Sequence, residues 1–116
     1  MRTLNDYFLT ARLDDISSAD QVYIAIPDGG HVVRVDAAIA NAITTADATL
    51  TAKTANGTVG TVTAAYDGSA AGSVFSGEFQ PVGVTGYVPT GGYVEVETDG
   101  ASSTAAETLV TVTIRR

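Results

Sequence analysis

His31 is the only imidazole in a chain of 116 residues that contains no cysteine, so most side-chain chemistry would have to pass through it. Without Cys there is no thiolate nucleophile, no redox pair and no sulfur-ligated zinc or iron–sulfur site. One histidine also excludes a multi-histidine metal site within one chain, and a serine triad would have no other base to use. His31 directly follows Pro27-Asp28-Gly29-Gly30, a turn signal, and opens an apolar run. No Gly-x-Ser-x-Gly nucleophile elbow accompanies it, and it reads as a turn-edge histidine rather than a catalytic base.

The carboxylates are the next candidates. Asp14-Asp15 and Glu95-x-Glu97 offer the oxygen ligands that calcium takes, but the D-x-D-x-D-G spacing of a calcium loop is missing, and they read as solvated acids. Glu78 and Glu95 could form a glycosidase pair, yet a chain with thirteen acidic residues offers many such pairs. Gly57-Thr58-Val59-Gly60 lacks the Gly-Lys-Ser/Thr ending of a phosphate loop. Asn56-Gly57-Thr58 is formally a glycosylation sequon, and a tight turn accounts for the same residues. The expectation is a chain with no catalytic residues, no cofactor site and no metal site, and one that is not an enzyme.

Charge narrows the partners. Six basic against thirteen acidic residues give a net charge of -7. Between residues 35 and 114 Lys53 is the only base, while Arg2, Arg12, Arg115 and Arg116 lie near the two termini. Such a body repels phosphate, so nucleic acid and anionic membrane surfaces are poor partners and a basic protein surface is a better one. No apolar run approaches the roughly 18 residues of a membrane span, and the N-terminus lacks the order of a signal peptide; the chain is read as soluble.

The elements that must carry these residues are strands. Apolar residues alternate at Val22, Ile24 and Ile26, at Val33, Val35, Ala37 and Ile39, at Ala48, Leu50 and Ala52, at Val94 and Val96, and at Val110, Val112 and Ile114. Period two marks strands buried on one face. Asp28-Gly29, Asn56-Gly57, Asp67-Gly68 and Asp99-Gly100 supply turns between them, the second closing a hairpin. Seven strands are predicted, at about 21–26, 31–39, 47–54, 58–65, 73–79, 93–98 and 108–114, with an eighth available at 9–13. Eight strands favour an all-β antiparallel sandwich of jelly-roll type, with Val33, Val35, Leu50, Val94, Val96, Val110, Val112 and Ile114 in its core.

Residues 1–20 stand apart from the sandwich of residues 21–116. Thr3 and Asp6 have capping-box-like spacing, and Leu4, Tyr7, Phe8 and Ala11 share one face of a helical turn. Leu9, Ala11 and Leu13 also alternate as a strand would. The segment is therefore an N-terminal arm, a short helix or a first strand. Its aromatics either close one end of the core or dock on a neighbour, with Leu4, Tyr7, Phe8 and Leu9 as contacts and Arg2 and Arg12 supplying positive charge.

Four stretches carry a resemblance: Thr3-Leu4-Asn5-Asp6-Tyr7-Phe8-Leu9-Thr10-Ala11-Arg12, Val22-Tyr23-Ile24-Ala25-Ile26-Pro27-Asp28-Gly29-Gly30, Ile43-Thr44-Thr45-Ala46-Asp47-Ala48-Thr49-Leu50-Thr51, and Val94-Glu95-Val96-Glu97-Thr98-Asp99-Gly100-Ala101-Ser102. In pattern and spacing they resemble the head decoration, or cement, proteins of tailed bacteriophages. The resemblance implies a β-sandwich, often a homotrimer, that sits on the outer surface of the virion, binds the major capsid protein and reinforces the shell. It carries no catalytic residue over to this chain. The other reading open to a β-sandwich is a carbohydrate-binding or host-attachment module, for which Tyr66, Tyr87 and Tyr93 are the candidate platforms.

Overall fold

The computed structural model describes residues 6–79, 85–100 and 106–116, and all the regular structure among them is β. The strands are β1 (Asp6–Leu13), β2 (Asp20–Ala25), β3 (Gly30–Ile39), β4 (Ala48–Thr54), β5 (Gly57–Ala64), β6 (Val74–Glu78), β7 (Tyr87–Val88), β8 (Tyr93–Thr98) and β9 (Thr108–Arg115). One sheet runs β1-β9-β3-β6, with the short β7 also paired to β3; the other runs β2-β8-β4-β5. Every pairing is antiparallel.

Leaving the two-residue β7 aside, the pairs β1–β9, β2–β8, β3–β6 and β4–β5 describe one long folded ribbon, in which the first half of the chain runs back along the second. The further pairs β3–β9 and β4–β8 form when that ribbon rolls up. This winding is the jelly roll, an eight-stranded sandwich of two sheets. Rolling is driven by the alternation already visible in the chain. Val35, Ala37, Ile39, Val110, Val112 and Ile114 of the first sheet, and Ile24, Leu50, Ala52, Val62, Val94 and Val96 of the second, are all buried in one cluster. The predicted core residues are all buried, with one change of register. A β-bulge between Val32 and Arg34 inserts an extra residue, so Val32 joins the core cluster while Val33 is buried outside it.

The first segment is a strand rather than a helix. Asp6 to Leu13 pairs residue by residue with Arg115 back to Thr108. Its side chains alternate: Tyr7, Leu9 and Ala11 pack against the core and Leu13 is buried, whereas Phe8, Thr10 and Arg12 are exposed.

Two isoleucines in connections that cross between the sheets, Ile16 and Ile43, are also buried. Ile16 N donates to Ala106 O (3.0 Å). Ile43 is held through both its backbone groups by the Ser69 hydroxyl, at 2.9 and 3.1 Å. Both connections leave the same end of the first sheet, since β1 and β3 both run antiparallel to β9, so these side chains close that end of the core. At the other end the Tyr7 hydroxyl donates to Asp28 O, and the Arg116 guanidinium lies 5.7 Å from the Tyr7 ring centre.

Candidate functional surfaces

The register lays out the outer face of the first sheet row by row. Asp6, Arg115, His31 and Tyr87 form one row; Phe8, Thr113, Arg34 and Glu78 the next; then Thr10, Thr111, Asp36 and Ser76; then Arg12, Leu109, Ala38 and Val74. Its charges are already matched. Arg34 Nε donates to both oxygens of Asp36 at 3.0 Å, and its Nη1 reaches Glu78 Oε1 at 2.6 Å, while Ser76 donates to Asp36. Burial pushes the Asp36 carboxyl up, and the Arg34 and Ser76 hydrogen bonds outweigh it and hold the group below the ordinary 3.8. Arg115 grips Asp6 through two bonds of 2.9 and 3.0 Å. Arg12 meets Asp14 at 3.2 Å and Glu107 at 3.7 Å.

Between these pairs the face carries threonines, a serine and a few exposed apolar side chains. Among the described residues, the exposed large side chains with no polar end are Phe8, Val74 and Leu109, and all three lie on this one face. Leu109 and Val74 share one row of it, and Phe8 stands two rows away on β1.

The outer face of the second sheet differs. Tyr23, Tyr93, Glu95, Glu97, Lys53 and a group of threonines (Thr49, Thr51, Thr61, Thr63) point out from it. The rings of Tyr23 and Tyr93 stand 5.4 Å apart at 70°, edge to face. Lys53 Nζ holds Glu97 Oε1 at 2.6 Å. That bond to Glu97 is the main reason the lysine is raised above its usual value, and the charge of Glu95 is the main reason the Tyr23 phenol is raised.

The residues singled out from sequence are therefore dispersed. Of the contact candidates, Phe8 and Arg12 face outward, Tyr7 and Leu9 face the core, and Arg2 and Leu4 lie outside the described residues. Arg12 is engaged by acids of its own chain rather than offered to a neighbour. Glu78 and Glu95 sit on different sheets, so they do not form a carboxylate pair. Asp15 accepts from the Ser17 hydroxyl and amide, in that order of effect, which holds its carboxyl low; Asp14 pairs with Arg12. Among the described residues no three His, Asp or Glu side chains converge where a metal could sit. His31 packs edge to face on Tyr87 at 5.4 Å. Tyr66, Tyr87 and Tyr93 belong to the β5–β6 connection, the first sheet and the second sheet respectively, and build no common platform. The Tyr23–Tyr93 pair was missed. Its signal lay in the strand alternation, which turns both side chains outward, but their adjacency depends on the β2–β8 register.

No protein-family model matches the chain, and no curated protein is significantly similar to it.

Proposed function

We propose that this chain is a structural virion protein that binds the outer surface of a phage capsid as a homotrimer and stabilises the shell. The carrying observation is the outer face of the first sheet, where Phe8, Val74 and Leu109 stand exposed among charged side chains that are already ion-paired within the chain. Docking such a face strands no unpaired charge, which is the usual cost of covering a charged surface. The jelly roll suits this role and, like the resemblance to decoration proteins, supports the reading without deciding it. The proposal involves no catalytic step and no cofactor, and its partner is the major capsid protein.

The test is co-sedimentation with empty heads of the encoding phage. The intact protein is expected to pellet with the heads, and a Phe8→Ser, Leu109→Ser variant to remain in the supernatant while keeping its thermal transition. Retention on a glycan array without co-sedimentation would overturn the proposal in favour of a sugar-binding module. Sedimentation equilibrium with heads absent is expected to give three times the mass of the chain.

A further inference from the structure

Each basic residue among the described ones is already engaged within the chain: Arg12 by Asp14 and Glu107, Arg34 by Asp36 and Glu78, Lys53 by Glu97, Arg115 by Asp6, and Arg116 by Asp28. Acids outnumber bases about two to one, so the remainder fall on the carboxylates. Glu95 is one of these, and its position is unusual. It lies directly across from Tyr23 on β2, two residues along β8 from Tyr93, and across from Lys53 on β4. Lys53 is drawn off diagonally to Glu97, and Glu95 makes no ion pair among the described residues. It lies beside two exposed phenols, Tyr23 at 59% and Tyr93 at 40% exposure, and accepts a hydrogen bond from the Tyr23 hydroxyl.

We infer that Tyr23, Tyr93 and Glu95 form a recognition corner for one cationic side chain, an arginine guanidinium or lysine ammonium, presented by a basic protein partner. The two rings meet at 70°, so they make two walls of a corner instead of a flat platform. A cation is attracted to the face of an aromatic ring when it lies within about 6 Å of the centroid. Neighbouring strands are about 4.8 Å apart and alternate residues about 7 Å apart, which puts both rings and the carboxylate within reach of a single guanidinium. The carboxylate accepts that cation's N–H bonds in a charge-assisted pair. The potential of a chain at -7 draws such a partner in.

The geometry favours this ligand over the alternatives. A sugar stacks its flat face on a ring plane, and rings set edge to face offer no shared plane for successive sugar units. A second copy of the chain is disfavoured because its described bases are all engaged. The inference does not rest on the capsid reading, because the site recognises a side chain whichever protein presents it.

The experiment titrates the full chain with acetyl-Gly-Arg-Gly-amide and follows the ring resonances of Tyr23 and Tyr93 by NMR. The matched peptide carrying citrulline, which has the same shape without the charge, and a glucose oligomer serve as the other arms. Saturable shifts of both rings with the arginine peptide alone are expected. Glu95→Gln and Tyr93→Leu are each expected to weaken binding about fivefold or more, and raising the salt to weaken it further. Equal shifts from the citrulline peptide, an unaltered affinity in Glu95→Gln, or a response to the glucose oligomer in place of arginine would each overturn the inference. Heads are absent from this assay. Loss of arginine binding therefore leaves the capsid proposal standing, and failure to co-sediment leaves this one standing.

Discussion

Leu13 and Phe8 stand on the same strand, five residues apart, with opposite fates: Leu13 is 1% exposed and Phe8 62%. Truncating each to alanine tests whether β1 is built into the first sheet in the register found. Leu13→Ala removes buried carbons from the core cluster to which Ile16 and Ile39 also belong, and leucine truncations in packed cores cost about 2–5 kcal/mol. Leu13 ends its strand, where neighbours can relax into part of the space, so about 3 kcal/mol is expected. At about 4 °C per kcal/mol for a domain of this size, that lowers the melting temperature by roughly 12 °C. Phe8→Ala uncovers almost nothing and should stay within about 0.5 kcal/mol of the parent. Urea unfolding followed by far-ultraviolet circular dichroism reads both. Equal destabilisation by the two variants, or none by Leu13→Ala, would refute the pairing of β1 with β9 and the inward set of Tyr7, Leu9 and Leu13.

Three further outcomes follow from single groups. The Thr108 hydroxyl is buried without a partner among the described residues, so Thr108→Val is expected to raise stability by about 1 kcal/mol; a loss would show that the hydroxyl is bonded. Gly100 has φ +70°, and a Cβ there would come within 2.5 Å of Ala19 N, so Gly100→Ala should cost about 2 kcal/mol or more in the same unfolding assay. Asp36 is held below the ordinary value of 3.8 in the folded state, so its contribution is present above that pH and lost as the pH falls through its lowered value. Stability measured between about pH 5 and pH 2 should therefore fall less steeply in Asp36→Asn than in the parent.

Much of the fold was legible because alternation reports directly on which face of a strand is buried. Val94 and Val96, or Val110, Val112 and Ile114, needed nothing beyond period two. What escaped was set by distant partners. Residues 6–13 satisfy a helical and an extended pattern equally, and the choice between them is made by hydrogen bonds to β9, at the other end of the chain. Ile16 and Ile43 carry no periodic signal, since each is the one large apolar residue of its connection, yet both are buried. Val32 became a core residue through a bulge that local composition does not announce. The two-residue β7 is too short to show any period. The surfaces were legible in parts list only: Phe8 was singled out, but its company with Val74 and Leu109 exists only once β1, β9, β3 and β6 lie side by side.

The rolled ribbon also dictates when this protein is able to fold. β9 lies between β1 and β3, so the first sheet has no middle until its last strand has left the ribosome. During synthesis, at roughly 5–20 residues per second, β1 waits with its apolar side chains uncovered and its hydrogen-bonding edge open. Contacts between chain ends carry the largest loop-closure cost, which places the jelly roll among the slow folders. A nascent chain stalled before Thr108 would expose Leu13, Val35 and Ile39 together with two unpaired strand edges, and such species aggregate. Stop codons near residue 108 should thus yield insoluble protein, and a chaperone that shields the early strands should raise the yield of the intact domain.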